Sequence, residues 1–199
     1  MILLIIFALS TGAVFGYNVL SADNKPLLDT ILLQALNVMV FVGGMGIGSN
    51  KNLVKKMLKP KIISLILAVP LAVITGSLLG GVIFGHILGI SIKDSLLVAG
   101  GLGWYSFSSV IISAMYSTEV GTMAFLTNVL REILSFILIP LAARFTDLPC
   151  VSIGGASTMD STLPVVLKYT NSKIAVIGFI NGLVLSLAVP LLMSFLLSL

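Results

Sequence analysis

The sequence predicts an all-α integral membrane protein, a polytopic helix bundle of about seven membrane segments, two of them discontinuous. Three observations carry this. Only 9% of the 199 residues are charged and 58% are hydrophobic, with a mean hydropathy of +1.18. A soluble domain is about a quarter charged, so this composition cannot clothe a water-facing surface, whereas a lipid-facing one needs no charge. Apolar runs recur at the length of about 20 residues that a spanning helix requires. Finally, five of the eleven Lys/Arg (Lys51, Lys55, Lys56, Lys59 and Lys61) fall in one short loop. Such clustering marks a cytoplasmic loop facing anionic lipid; nucleic acid would need a broader basic surface. Nothing is left over for a soluble domain, and residues 1–199 read as a single membrane domain.

In chain order the segments lie at about 1–20, 27–48, 62–89, 94–117, 119–143, 151–168 and 174–198. The opening MILLIIFALSTGAVFG has no basic leader region and is long for a signal peptide, so it reads as the first span. With the 51–61 loop cytoplasmic and one crossing per segment, the N-terminus lies inside and the C-terminus outside the cell (inner) membrane. Lys168 and Lys173 join the inside and Lys25, Lys93 and Arg144 the outside, seven Lys/Arg against three, as the positive-inside rule asks. Turning either polar segment into a re-entrant loop spoils part of that agreement. Glycines recur four apart at Gly12/Gly16, Gly44/Gly48, Gly76/Gly80, Gly81/Gly85 and Gly178/Gly182, a spacing that lets helices approach closely. Pro70, Pro140 and Pro190 fall inside spans, where neighbours can re-satisfy the carbonyls they free.

Two segments are poor continuous helices. The fourth holds Gly100, Gly101 and Gly103, followed by Trp104-Tyr105-Ser106 and further hydroxyls. The sixth opens Gly154-Gly155-Ala156-Ser157-Thr158-Met159-Asp160-Ser161-Thr162-Leu163-Pro164. Irregular backbone at membrane depth must be buried in protein or line a cavity, and paired broken segments point to a transporter's binding site. On a one-crossing topology the two run in the same direction and form no inverted repeat.

Charge inside the spans narrows the site. Arg131 and Glu132 lie in the middle of the fifth segment and Asp160 lies in the sixth; a charge at the bilayer centre costs at least about 2.5–3.5 kcal/mol, so each asks for a role. Adjacent residues on a helix do not face each other, which argues against an Arg131–Glu132 pair. Asn128 and Ser135 share the face of Glu132, giving a polar stripe for a cavity, while Arg131 is expected as a structural charge paired with Asp160 or with freed carbonyls. Pro164 has no N–H to give the carbonyl of Asp160 in a helix, so that oxygen and the Asp160 carboxylate are expected at one point. With the hydroxyls of Ser157, Thr158, Ser161 and Thr162 they suit an ammonium or a hydrated cation. A half-helix N-terminus near Trp104–Ser106 suits a carboxylate. An amino acid with one cationic end fits, and so does an ion alone. Asp29 and His86 read as interfacial residues.

Other classes fit less well. The single Cys150 excludes an internal disulfide and a Cys-cluster metal site, and the single His86 excludes a His-pair zinc motif; no metal or cofactor is expected. An intramembrane serine hydrolase needs a base beside its nucleophile, GWYSFSS is no G-x-S-x-G elbow, and Asp160 has no second aspartate for a dyad. An enzyme is not expected. A subunit that only docks a partner remains the third class.

The stretches GGLGWYSFSSVIIS, LTNVLREILSFILIPLAAR and GGASTMDSTLPVV together resemble the bacterial lysine exporter family LysO, over roughly residues 35–199. The resemblance implies a secondary exporter of L-lysine and its analogue thialysine, working by antiport with protons, with Glu132 as the proton-coupling acid and Asp160 as the substrate-binding one. Ser157, Thr158, Ser161, Thr162, Asn128, Trp104 and Ser106 complete the expected binding set. The familiar form is longer, with a further N-terminal membrane half, so this chain matches its C-terminal half. It is therefore expected as a homo-oligomer or beside a second short membrane subunit. Cation/proton antiport is the alternative.

Overall fold

A computed structural model describes residues 60–199 throughout and, before them, residues 7, 10–12, 14–17, 30, 31, 34, 38, 41 and 45. The expected segments 1–20 and 27–48 lie largely outside the described residues, and the cluster Lys51–Lys59, Asp29 and the Gly44/Gly48 pair lie wholly outside them. Among the described residues there is no strand, so the all-helical character holds. Three helices there are long and apolar enough to cross a bilayer: Ile63–Ile87, Thr118–Ala142 and Ser172–Ser198.

The first of these belongs to α1 (Pro60–Ile87), opened by a proline whose missing N–H costs nothing in the first turn. Val69 and Val73 turn inward while Leu67, Leu71, Leu79, Ile83 and Phe84 stay exposed, as a lipid-facing surface requires. Gly81 and Gly85 lie where α2 (Ile92–Ala99) crosses, and a Cβ on either would run into Ala99 or Ser95. Gly76 and Gly80 meet no such neighbour.

The Ser91 hydroxyl starts α2 by accepting the Asp94 N–H at 3.1 Å. At Gly100 the helix ends, and Leu102 (φ 50°) and Gly103 (φ 101°) reverse the chain into α3 (Tyr105–Met115). Ser117 then caps α4 (Thr118–Ala142) by accepting the Val120 N–H. Next come α5 (Pro149–Gly154), a 3₁₀ turn over Gly155–Met159, and α6 (Leu163–Tyr169). Asn171 accepts the N–H groups of Lys173 and Ile174 at the start of α7 (Ser172–Ser198).

The broken segments do not cross from end to end. From Lys93 to Tyr116 a continuous helix would rise roughly 35 Å, yet the Lys93 Nζ sits 5.0 Å from the centroid of the Tyr116 ring. From Asp147 to Asn171 the rise would be about the same, yet Asn171 Nδ2 donates to Asp147 Oδ2 at 2.9 Å. Both segments are hairpins whose ends return to the side they left. This corrects the expectation of one crossing each: Pro/Gly breaks announce that a helix stops, and only tertiary contacts say which way the chain then goes. The first mouth lies at the start of α4 and the second at its end, so the hairpins enter from opposite ends of the bundle. Their tips meet in the middle, where the Ala156 N–H donates to the Leu102 carbonyl at 2.9 Å. The two therefore run in opposite senses, against the expectation of a common direction.

The core lies between the hairpins and the long helices. Leu97, Leu102, Ile112, Ile139, Val166, Ile177, Leu185 and Met193 are fully buried there. Outside, Leu126, Leu130, Leu134 and Leu138 on α4, and Leu183, Leu187, Leu191 and Phe195 on α7, form exposed stripes at four-residue spacing.

Candidate functional site

Tips of irregular backbone need partners for their N–H and C=O groups, and α4 and α7 supply them. Asn128, 3% exposed, accepts the Gly103 N–H at 2.8 Å and donates to the carbonyls of Val98 at 3.2 Å and Ala124 at 2.8 Å. Ser135 donates to the Glu132 carbonyl at 2.6 Å and is fully buried. The polar stripe of Asn128, Glu132 and Ser135 thus does not face one cavity: Asn128 is spent on the first tip and Ser135 on its own helix.

One turn on from Asn128, Arg131 serves the second tip. Its guanidinium donates to the carbonyls of Ile153 at 3.3 Å and Ser152 at 3.1 Å, and to Ser77 of α1 at 3.1 Å. These are carbonyls at the end of α5, where the helix dipole is negative and intrahelical N–H partners run out. Of the two expected partners, freed carbonyls are found and Asp160 is not. Gly155 (φ 65°) allows the approach, since a Cβ there would stand 2.5 Å from the Leu102 carbonyl and 2.7 Å from the Arg131 guanidinium. From α7, Asn181 donates to the Gly155 carbonyl and to the Thr158 hydroxyl, both at 3.2 Å. Asn181 is 1% exposed and its Oδ1 has no partner among the described residues.

The second tip brings its acid, Asp160, to Glu132 of α4. Ser161 joins them: its hydroxyl donates to the Glu132 carboxylate and its N–H donates to Asp160 Oδ1 at 2.6 Å. The Asp160 carbonyl is not free, because it accepts the Leu163 N–H at 3.2 Å. Pro164 lies in the first turn of α6 rather than in a helix interior, so the expectation that it frees this carbonyl is wrong.

Between the tips lies a cavity of ≈ 230 Å³, lined by Gly103, Trp104, Tyr105, Ser106, Glu132, Ala156, Ser157, Met159, Asp160, Ser161 and Ser186. It gathers Glu132, Asp160, Ser157, Ser161, Trp104 and Ser106 from the expected set. Asn128, Thr158 and Thr162 are not in its wall: Thr158 donates to Gly155 O at 2.6 Å, and Thr162 faces Ser157 at 3.3 Å, both fully buried. Tyr105, within the expected helix start Trp104–Ser106, lines the wall as well, and Ser186 joins it unforeseen. Ser186, one of several serines in an apolar helix, carries no signal in the sequence. Tyr105 shares that wall with both carboxylates, and its ring meets Phe125 edge-on at 5.5 Å. Trp104 stacks on Phe107 at 4.9 Å. No side chain caps the N-terminus of α3, whose first residues, Tyr105 and Ser106, face the cavity. The wall thus offers two acids and hydroxyls for a cation, and a helix N-terminus for an anion.

Comparison with known proteins accords with this picture. Over 127 residues the chain is 34% identical to the lysine exporter LysO of Escherichia coli (strain K12), covering 64% of this chain and 42% of that protein. It is 38% identical over 119 residues to a putative lysine exporter of Haemophilus influenzae, covering 60% of this chain and 61% of the relative. The chain therefore spans between two-fifths and three-fifths of the curated relatives it matches. No solved structure matches it. The family model described as lysine exporter LysO matches residues 6–197, and the chain belongs to that family of membrane exporters.

Proposed function

We propose that the chain is a secondary exporter, or a subunit of one, that moves L-lysine and analogues such as thialysine out of the cytoplasm in exchange for protons. The observation that carries this is the bridge Glu132–Ser161–Asp160 in a cavity between two hairpin tips. In this reading the lysine side-chain ammonium lies at the two carboxylates, with the faces of Trp104 and Tyr105 adding cation–π attraction. The α-carboxylate points to the first N–H groups of α3, where the dipole favours an anion. Glu132 is the acid on a long helix, and Asp160 is the acid on the tip. An ammonium and a proton compete for Glu132, and competition at one group produces exchange rather than co-transport. A bare cation exchanged for protons is the second reading, favoured by the ring of hydroxyls from Ser106, Ser157, Ser161 and Ser186.

The assembly proposed is a single membrane domain in the inner membrane, with three long helices and two re-entrant hairpins following the segments that the sequence leads us to expect at about 1–20 and 27–48. The N-terminus is cytoplasmic and the C-terminus outside. With both hairpins returning, Lys25 and Lys93 are the outer cations, and Lys51, Lys55, Lys56, Lys59, Lys61, Arg144, Lys168 and Lys173 the inner ones. Eight against two satisfies the positive-inside rule better than single crossings do. A homo-oligomer, or a second short membrane subunit, completes the transporter.

The test is Glu132→Gln, assayed for lysine efflux driven by a pH gradient. The expected result is loss of that efflux with normal insertion. Undiminished thialysine resistance in cells carrying the variant would remove Glu132 from the mechanism.

A further inference from the structure

Each hairpin is followed by a capped long helix that carries one buried asparagine. Asn128 lies eleven residues past the cap Ser117, and Asn181 ten past the cap Asn171. At 1.5 Å per residue each sits roughly 16 Å from its end of the bundle, half of a hydrocarbon core about 30 Å thick. The two helices start at opposite ends, so both amides reach the same middle layer. Each Nδ2 donates to a backbone carbonyl of the hairpin just before it, Val98 for Asn128 and Gly155 for Asn181. Hairpin plus capped helix plus amide thus occurs twice, in opposite senses, as in transporters built from inverted repeats.

We infer that Asn128 and Asn181 are equivalent positioning residues, each holding the tip of the hairpin that precedes it, and that Asn181 fixes where Asp160 stands in the cavity. Asn181 pins the 3₁₀ turn at two points, Gly155 O and Thr158 Oγ1, and that turn ends at Asp160. Gly182, the next residue of α7, lets the turn lie against the helix, for a Cβ there would stand 2.5 Å from Met159 N and 2.6 Å from Ala156 O. The hold is one-sided. Asn128 uses both its oxygen and its nitrogen on the first tip, whereas Asn181 uses only its nitrogen on the second, and its Oδ1 is unpartnered among the described residues. On the acid-bearing tip the Asn181 amide works beside Arg131, which holds the carbonyls of Ser152 and Ile153 just before the turn.

The transport readout of the test rests on lysine exchange at the cavity; the labelling readout does not. In a Cys150→Ala background, Met159→Cys on the tip is labelled with a small polar thiol reagent, with and without Asn181→Ala. The labelling rate should rise roughly five- to tenfold, the worth of about one hydrogen bond. With Met159 intact, Asn181→Ala should raise the KM for lysine by a similar factor and leave kcat within about twofold. Thr158→Val removes one of the two anchors and should move both readouts the same way by less; it also serves if Asn181→Ala does not insert. Ser194→Ala, on the exposed face of α7, should move neither. Unchanged labelling and unchanged KM in well-inserted Asn181→Ala, or in Thr158→Val if only that variant inserts, would overturn the inference. Increased labelling without any lysine transport by the parent protein would instead overturn the proposed function and leave the positioning role standing.

Discussion

Asp160 stands on a turn whose other polar groups are nearly all occupied, and its carboxylate, which accepts the Ser161 N–H at Oδ1, is the charge that the turn presents to the cavity. Replacing it with asparagine keeps the shape and removes the charge. One charged hydrogen bond is worth about 1.5–3 kcal/mol, so Asp160→Asn should weaken lysine binding roughly ten- to a hundredfold. Calorimetry on reconstituted protein reads this, and wild-type affinity would mean that the acid only supports the turn. Asp160 and Glu132 were legible in the sequence because a charge inside an apolar segment stands out against its surroundings. Asn128 was visible but misread, since its face on the helix says nothing about which backbone lies opposite. Asn181 was missed for the opposite reason: a single neutral amide barely disturbs the hydropathy of SKIAVIGFINGLVLSLAVP. Its importance comes from Gly155 and Thr158, more than twenty residues away in the chain.

At the scale of elements, the two tips depend on one glycine. Gly155 combines a left-handed backbone with a Cβ position 2.5 Å from Leu102 O. At φ 65° and ψ −130° an alanine must bear backbone strain of about 1–3 kcal/mol and also push apart the tips. Gly155→Ala should therefore lower the thermal unfolding midpoint in detergent, followed by the fluorescence of Trp104. Gly80→Ala, at a helical glycine with no neighbour within 4 Å, should be neutral or slightly stabilising. Equal midpoints for the two variants would contradict the close approach at Gly155. The breaks themselves were readable from Gly100, Gly101, Gly103, Gly154 and Gly155. The return of the chain was not, because a hairpin of two short helices has the same length and composition as one span. What separates them is contact between the ends, such as Asn171 on Asp147, which no local pattern encodes.

For the whole molecule, paired hairpins change which loops share a side. In a Cys150→Ala background, Lys93→Cys and Tyr116→Cys should both react with an impermeant thiol reagent from outside, while Arg144→Cys and Lys168→Cys should both be shielded. Labelling of Arg144→Cys from outside would restore the single-crossing topology. The meeting of the tips has an electrical consequence as well. The tips meet at the contact of Ala156 with Leu102, beside the cavity, so water that fills the cavity from one side leaves only the protein beyond it as the insulating layer. Most of the membrane voltage then falls across that septum. Carrying a lysine cation out against an interior-negative potential costs about 2.3 kcal/mol per 100 mV. One proton carried inward through the same septum recovers the same work. A one-for-one exchanger of this design would run at a rate set by concentration gradients and be nearly indifferent to voltage.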